Sequence, residues 1–136
     1  METAKKYTLD AGLADRVGHL PGNAMTTEWP TGHDVVLMSY VWSAVGGADI
    51  EVLARRAFDA LPSGGLVVVH DFMVHNHDAQ PPFAAWYLLG SIFDNSNAVC
   101  LTPTYVEQTL RRAGFQIDAT EVMLPGITML TKAHKR

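Results

Sequence analysis

The chain has 136 residues, of which 48% are hydrophobic and 18% are charged, and its formal net charge is −4 at pH 7. This length suits one domain, and this composition excludes a disordered chain, a collagen-like repeat and a coiled coil. Lysine and arginine form no large cluster, so we expect no nucleic-acid partner. Because no apolar run could span a bilayer and Cys100 is the single cysteine, we expect a cytoplasmic protein with no membrane partner.

Helical and strand-like segments alternate along the chain, which indicates an α/β domain. In chain order the sequence predicts a helix over 2–11, a short strand around Val17 and Leu20, a strand over 33–42, a helix over 50–61, a strand over 66–69 that ends in His70-Asp71, a helix over 83–93, a helix that ends at Gly114, and strands over 115–123 and 127–133.

The segment from residue 33 to residue 71 carries the most specific expectations. The continuous apolar run VVLM within 33–42 is typical of a strand buried on both faces. Apolar residues recur at helical spacing from Ile50 to Leu61, and Asp49 is placed to cap that helix. A strand, a helix, a glycine turn and a second strand in this order predict a parallel crossover.

The second half predicts two helices and a hairpin. The helix over 83–93 is apolar nearly all round, which is typical of a deeply buried helix or of the wall of an apolar ligand pocket. The next helix has two alternative starts, either Thr102 before a proline or a capping box made by Thr104 and Glu107. The last two strands, joined by Pro125-Gly126, predict an antiparallel hairpin at the end of a mostly parallel sheet.

Ligands of open parallel sheets bind at the carboxyl ends of the strands. This rule selects three segments, which are Asn23-Ala24-Met25, Ser39 to Ser43, and His70 to Asp78. An asparagine at position 23 can hydrogen-bond a base or an amide, although an ordinary Gly-Asn turn explains it as well. Ser43 could be a polar group of the cleft, but no nucleophile motif surrounds it.

The segment HDFMVHNHD holds enough imidazole and carboxylate groups for a metal site. Its candidate ligands are His70, Asp71, His75, His77 and Asp78. Two histidines and one carboxylate suit non-haem iron or zinc. The alternative is a polar loop whose imidazoles bond locally or face water. Because they are fixed at the end of a strand, His70 and Asp71 are better metal candidates than the loop histidines.

Four blocks in register resemble the later part of a class I S-adenosylmethionine-dependent methyltransferase. They are GLADRVGHLPGNAM, PTGHDVVLMSYVW, ALPSGGLVVVHDF and RRAGF, and they are most similar to the small-molecule O-methyltransferase family of the acetylserotonin and caffeate type. The resemblance implies a Rossmann-like methyltransferase sheet, S-adenosylmethionine as cofactor and a small-molecule acceptor. It places Asn23, Ala24 and Met25 at the adenine end of the cofactor, and Ser39 and Tyr40 at its methionine end.

The sequence departs from this family at the general base. The family has a histidine in a Leu-His-Asp-Trp block, whereas this chain has Trp42-Ser43-Ala44-Val45, with Ser43 at the position of the base. A serine hydroxyl cannot abstract a phenol proton at neutral pH. A C-methyltransferase of a 2-oxo acid, with a divalent metal or iron on His70 and Asp71 as Lewis acid, is therefore the alternative. Ser43 and His70 are the catalytic candidates.

The resemblance begins after the glycine-rich strand–turn–helix with which the family's catalytic domain starts. Residues 1–136 are therefore expected to form a single domain, the C-terminal portion of a methyltransferase catalytic domain, without the first strands of the full fold. A homodimer is expected only if the chain is part of a longer one. A non-catalytic binding module is the remaining alternative.

Overall fold

Residues 2–136, which a computed structural model describes, form a mixed sheet with helices packed on it. The elements are α1 (Glu2–Asp10), β1 (Val35–Ser39), α2 (Gly47–Ala60), β2 (Leu66–Asp71), α3 (Pro82–Asp94), α4 (Pro103–Ala113), β3 (Phe115–Leu124) and β4 (Thr128–Lys135), with a short 3-10 helix at Trp42–Ala44. Over this described range, none of the helices combines the length and the apolar character that a membrane span requires.

The sheet has the strand order β1-β2-β4-β3. Strands β1 and β2 are parallel, and β4 is antiparallel to both β2 and β3. The predicted parallel pairing and the predicted C-terminal hairpin are therefore confirmed. Because only one of the pairings is parallel, the sheet of this chain is mixed rather than mostly parallel.

The core lies on one face of the sheet. In β2 the side chains of Val67, Val69 and Asp71 are buried, whereas the alternating residues are only partly buried, as the period of two in a strand requires. The apolar stripe predicted for α2 is confirmed, because Ile50 and Leu53 are buried in the same core cluster. Helix α4 adds its buried residues to that cluster, which are Val106, Leu110 and Ala113.

Strand β1 corrects one expectation. We predicted a strand over 33–42 that is buried on both faces, but β1 covers only Val35–Ser39 and the side chain of Leu37 is 63% exposed. Met38, on the opposite face, is buried in the core. Within residues 2–136 no element covers the side chain of Leu37, so this apolar strand is buried on one face only.

The N-terminal segment also differs from expectation. Helix α1 is confirmed, and Gly12 ends it with a φ of 68°, a conformation that glycine adopts without strain. Its side chains are nearly all exposed, however, so its apolar face packs on little. The strand expected around Val17 and Leu20 does not form, and both side chains are exposed. A strand needs a hydrogen-bonded neighbour, and the described chain offers this segment none.

The structure shows which of the predicted residues cap the helices. In α4 the side chain of Thr102 accepts a hydrogen bond from the backbone N–H of Tyr105 at 3.2 Å, so Thr102 is the cap and the Thr104 capping box is not used. Helix α2 begins after Gly46, and Asp49 lies inside its first turn rather than at the cap. Helix α3 is not deeply buried, because only Ala84 and Leu88 are buried.

Candidate functional site

The carboxyl ends of β1 and β2 lie side by side, as their parallel pairing requires, and Ser39 is in register with His70. The hydroxyl oxygen of Ser39 lies 2.9 Å from Nδ1 of His70. On the other side of the ring, Nε2 of His70 lies 2.9 Å from the hydroxyl oxygen of Thr128, the first residue of β4. Because a hydroxyl both donates and accepts, these contacts hold the imidazole in either tautomer.

Tyr40 turns the chain sharply at the end of β1. Its φ is 56°, in the left-handed region that non-glycine residues rarely adopt. Its backbone N–H donates to the carbonyl of His70 at 2.9 Å, and its ring lies edge-on to the imidazole with 4.9 Å between centroids. The strained turn thus places a phenol ring directly against His70.

An aromatic cluster continues from Tyr40 onto α3. The Phe72 ring lies 5.1 Å from that of Tyr40 and stacks on Tyr87 at 3.9 Å. Phe83 lies 6.0 Å from Phe72, and Trp86 lies 6.3 Å from Phe83. We call Tyr40, Phe72, Phe83, Trp86 and Tyr87 the aromatic shelf. Trp86 is 72% exposed, so the shelf offers ring faces and edges to a ligand.

Ser43 and Asp71 lie on the other face of β2 from His70, because successive strand residues point to opposite faces. Asp71 is completely buried, and its two carboxylate oxygens accept the backbone N–H groups of Ser43 at 3.1 Å and of Phe72 at 2.9 Å. The carboxylate therefore fixes the 3-10 helix that follows β1. Ser43 is 3% exposed, and within residues 2–136 its hydroxyl has no hydrogen-bond partner.

The structure does not bring His70 and Asp71 together as a pair of metal ligands. Their side chains point to opposite faces of the sheet, and both ring nitrogens of His70 contact hydroxyl groups. In the loop, Nδ1 of His75 lies 3.2 Å from Asp78 Oδ1. The described residues contain no group of three histidine, cysteine, aspartate or glutamate side chains arranged to hold a metal ion.

The turn at Asn23 forms a separate pocket of about 240 Å³. Asn23 Oδ1 accepts the backbone N–H of Met25 at 2.8 Å, and the indole N–H of Trp29 donates to the carbonyl of Ala24 at 2.9 Å. Arg56 of α2 bonds to this loop and lies over the Trp29 ring, 5.6 Å from its centroid. Over residues 2–136, no hydrogen bond or aromatic contact joins this turn to Ser39, Tyr40 or His70.

The thiol of Cys100, the single cysteine, is not activated as a nucleophile. Burial raises the pKa of the Cys100 thiol, which lowers the thiolate fraction at neutral pH. Burial also raises the pKa of Tyr105, and the charge of Glu51 adds to this effect. The chemistry available at the strand ends is therefore that of His70, the neighbouring hydroxyls and the aromatic shelf.

Sequence reasoning missed Thr128 as a part of this site and did not single out Phe72. Thr128 follows a Pro-Gly turn in an alternating strand, and only the antiparallel register of β4 brings it to His70. Phe72 stood in a segment read as a polar loop. The rule that ligands bind at strand ends does select the segment that contains Phe72, His70 to Asp78, but only the histidines and aspartates of that segment are named as candidates.

The comparisons with known proteins point to methyltransferases, although no protein-family model matches the chain. An L-tyrosine C(3)-methyltransferase of Streptomyces lavendulae is 31% identical over 91% of this chain and 34% of its own length. A 3-hydroxy-5-methyl-1-naphthoate 3-O-methyltransferase of Streptomyces sahachiroi is 29% identical over 55% of this chain and 22% of its own length. The chain thus spans about a third or less of these two relatives.

Solved structures agree over nearly the whole chain. A protein of Nostoc punctiforme assigned to the O-methyltransferases is 26% identical, with a TM-score of 0.91 over 98% of this chain and 41% of that one. An O-methyltransferase family 2 protein of Planctomyces limnophilus, solved with apigenin, has the same fold with a TM-score of 0.86 at 18% identity, over 99% of this chain and 40% of that one. In sequence and in fold, the chain is therefore similar to a part of these methyltransferases, and it covers about two fifths or less of the length of each of them.

Proposed function

We propose that this chain carries the acceptor site and a part of the cofactor site of an S-adenosylmethionine-dependent methyltransferase that methylates a small aromatic molecule, with a phenolic oxygen as the first candidate acceptor atom. The observation that carries the proposal is the aromatic shelf beside His70 at the ends of β1 and β2, in a chain whose relatives are named as methyltransferases. Aromatic side chains offer an aromatic acceptor large contact area and favourable ring geometry.

S-adenosylmethionine would supply the methyl group as a sulfonium, and the acceptor oxygen would displace the thioether in line. The main role of the protein is then to position the acceptor and to exclude water. The pocket at Asn23 suits a heteroaromatic ring such as adenine, since Leu20 and Trp29 line it and Asn23, whose Oδ1 is used by Met25, keeps its amide N–H groups to donate. Ser39 and Tyr40 remain the residues proposed for the methionine end.

We assign the proton-accepting role to His70 rather than to Ser43. The Ser43 hydroxyl is buried and is a poor base at neutral pH. The imidazole of His70 lies at the strand end, half-buried, with Tyr40 against one side, and histidine is the side chain that most often acts as a general base. Ser39 or Thr128, each 2.9 Å from a ring nitrogen, could relay the proton from the acceptor.

Methylation of an aromatic ring carbon is the second candidate, and two observations favour it. The residue at the position of the family's base is a serine, and the relative that matches 91% of the chain is named a tyrosine C(3)-methyltransferase. In that reaction a ring carbon next to a phenolate oxygen would attack the methyl group as the carbon–sulfur bond breaks, and His70 would accept the ring proton whose loss restores aromaticity. The geometry does not favour the 2-oxo acid alternative, because the side chains of His70 and Asp71 point to opposite faces of the sheet.

Calorimetric titration of the 136-residue chain with S-adenosylhomocysteine tests the proposal first. Saturable binding is expected, and its absence would favour the non-catalytic binding module instead. The chain is then incubated with labelled S-adenosylmethionine and either tyrosine or a hydroxynaphthoate, and mass spectrometry with NMR locates the methyl group on oxygen or on carbon. No transfer to any phenol by a chain that binds the cofactor product would contradict the proposal.

The role of His70 is tested with a matched histidine. His70→Gln should lower methyl transfer by about a hundredfold or more while S-adenosylhomocysteine still binds, because a general base contributes a factor of this order. His77→Gln, in the exposed loop, should leave both quantities unchanged. Equal activity of the two variants would remove His70 from the mechanism.

A further inference from the structure

We infer that a second, apolar pocket beside Thr128 receives the part of the acceptor that is remote from the reacting atom, and that this part is an uncharged group about the size of one aromatic ring. This inference rests on the proposed function and adds a specificity site to it. The pocket lies between the β3–β4 hairpin and the loop before α3, and its volume is about 220 Å³.

The hairpin forms the apolar wall of this pocket. Its lining residues are Val122, Leu124, Gly126, Ile127, Thr128 and Met129. The side chains of Val122, Leu124 and Ile127 are exposed around the turn, so the pocket is open to a ligand that arrives from solution. Gly126, with a φ of 74°, closes the turn without a side chain that would fill the space.

The opposite wall is a loop that its own hydrogen bonds hold in place. The N–H of His75 donates to the carbonyl of Gln80 at 2.7 Å. Asp78 Oδ1 accepts the N–H of Gln80 at 2.9 Å and lies 3.2 Å from Nδ1 of His75. Asn76 accepts the N–H of Thr104 at 3.0 Å, which ties the loop to α4. The wall is therefore present before any ligand binds, as is typical of small-molecule sites.

Thr128 connects this pocket to the strand-end site. It lines the pocket, and its hydroxyl lies 2.9 Å from Nε2 of His70. Its neighbour Met129, which also lines the pocket, pairs with Asp71 in the sheet. Thr128 is only 1% exposed, so the width of this one buried side chain separates His70 from the pocket, and an acceptor at His70 would extend past it to reach the pocket.

The lining defines the chemistry of the occupant. None of the residues that line the pocket is a lysine, arginine, aspartate or glutamate, and the polar groups are those of His75, Gln80 and Thr128. A carboxylate or ammonium placed there would lose part of its hydration without gaining a lysine, arginine, aspartate or glutamate partner from the lining, and the imidazole of His75 already lies 3.2 Å from Asp78 Oδ1. The volume lies below the range of about 300–1,000 Å³ that is usual for drug-sized ligands. A single neutral ring, with a polar edge toward His75, suits both the uncharged lining and the volume of the pocket.

The test titrates 4-ethylphenol into the chain carrying labelled methyl groups and follows them by NMR. Shifts are expected at Val122, Leu124, Ile127 and Met129. Ile127→Trp, which fills the pocket, should weaken binding by about tenfold or more, whereas Val52→Trp, at an exposed position of α2, should not. 4-Ethylbenzoate, which carries a charge, should bind at least about tenfold more weakly than 4-ethylphenol.

Two results would overturn the inference. One is shifts confined to α3 beside the aromatic shelf, with the pocket methyl groups unmoved up to the solubility limit of the probe. The other is unchanged affinity in Ile127→Trp, or in Val122→Trp if the first variant does not fold. The titration needs no cofactor, so its failure is distinct from a failure to bind S-adenosylhomocysteine, which would instead count against the proposed function.

Discussion

Nε2 of His70 lies 2.9 Å from the hydroxyl oxygen of Thr128, although the two residues are 58 positions apart in the chain. The contact joins the end of β2 to the start of β4, so the C-terminal hairpin helps to hold the imidazole that we assign to proton transfer. It also places the hairpin pocket next to that imidazole. The geometry of the candidate site therefore depends on the register between β2 and β4.

Replacing Thr128 tests the contribution of this contact to folding. Thr128→Val keeps the shape of the side chain but leaves the half-buried Nε2 without its hydroxyl partner, and should lower the free energy of unfolding by about 1–2 kcal/mol. Thr128→Ser keeps the hydroxyl and should retain most of that energy. Urea unfolding followed by circular dichroism measures both variants. A valine variant as stable as the parent would show that the hydroxyl contributes nothing.

Asp71 is expected to stabilise the fold rather than to take part in the reaction. Its carboxylate oxygens accept the backbone N–H of Ser43, which follows β1, and the backbone N–H of Phe72, which follows β2. Asp71→Ala should destabilise the fold by about 2–3 kcal/mol, since it leaves the N–H groups of the buried Ser43 and the partly buried Phe72 without this partner. Asp71→Asn keeps one acceptor and should cost less. Asp59→Ala, at an exposed position of α2, should be close to neutral in the same thermal melts, and an equal loss in both alanine variants would contradict this role.

The elements that local patterns determine could be predicted from the sequence. The apolar stripe from Ile50 to Leu61 needs only helical periodicity, and α2 buries it as predicted. The hairpin needs only alternation around Pro125-Gly126, and it forms with that turn. For α4 the sequence leaves two starts open, because Thr102 and Thr104 both satisfy the local rule for a cap. The choice depends on a distant residue, since Asn76 accepts the backbone N–H of Thr104.

Features that depend on long-range packing could not be predicted in the same way. The run VVLM looks the same whether one or both faces of a strand are covered, so the exposure of Leu37 was not visible in it. The segment around Val17 and Leu20 has strand-like residues but lacks a neighbour in the described sheet. By contrast, the separation of His70 from Asp71 could have been predicted, because adjacent residues of any strand point to opposite faces.

The two alternative starts of α4 give a matched pair of substitutions. Thr102→Ala removes the side-chain oxygen that accepts the N–H of Tyr105 and should cost about 1 kcal/mol. Thr104→Ala should cost much less, because its backbone N–H, not its side chain, makes the bond to Asn76. The midpoints of denaturant unfolding compare the two. A larger loss in Thr104→Ala would mean that the capping box is used in solution.

Gly114 ends α4 with a φ of 111°, and a Cβ placed there would lie 2.8 Å from the Phe58 ring. Gly114→Ala therefore combines an unfavourable backbone conformation with a clash against a ring that packs on the core cluster. Gly64 also has a positive φ, but a Cβ there would meet no atom within 4 Å, so Gly64→Ala should cost only about 1 kcal/mol. Thermal melting should show the greater loss for Gly114→Ala, and equal losses would show that Phe58 moves aside freely.

Trp86 tests whether the aromatic shelf binds the acceptor. Its ring extends the shelf from Phe83 and is largely exposed, so Trp86→Ala should leave the stability within about 0.5 kcal/mol of the parent. If the shelf holds an aromatic acceptor, the loss of one ring contact should weaken binding of a hydroxynaphthoate by about fivefold to tenfold. Phe93→Ala is the control, because Phe93 is 86% exposed on the same helix and lies outside the shelf. Equal affinities of the two variants in a fluorescence-independent assay such as calorimetry would show that the Trp86 ring does not contact the acceptor.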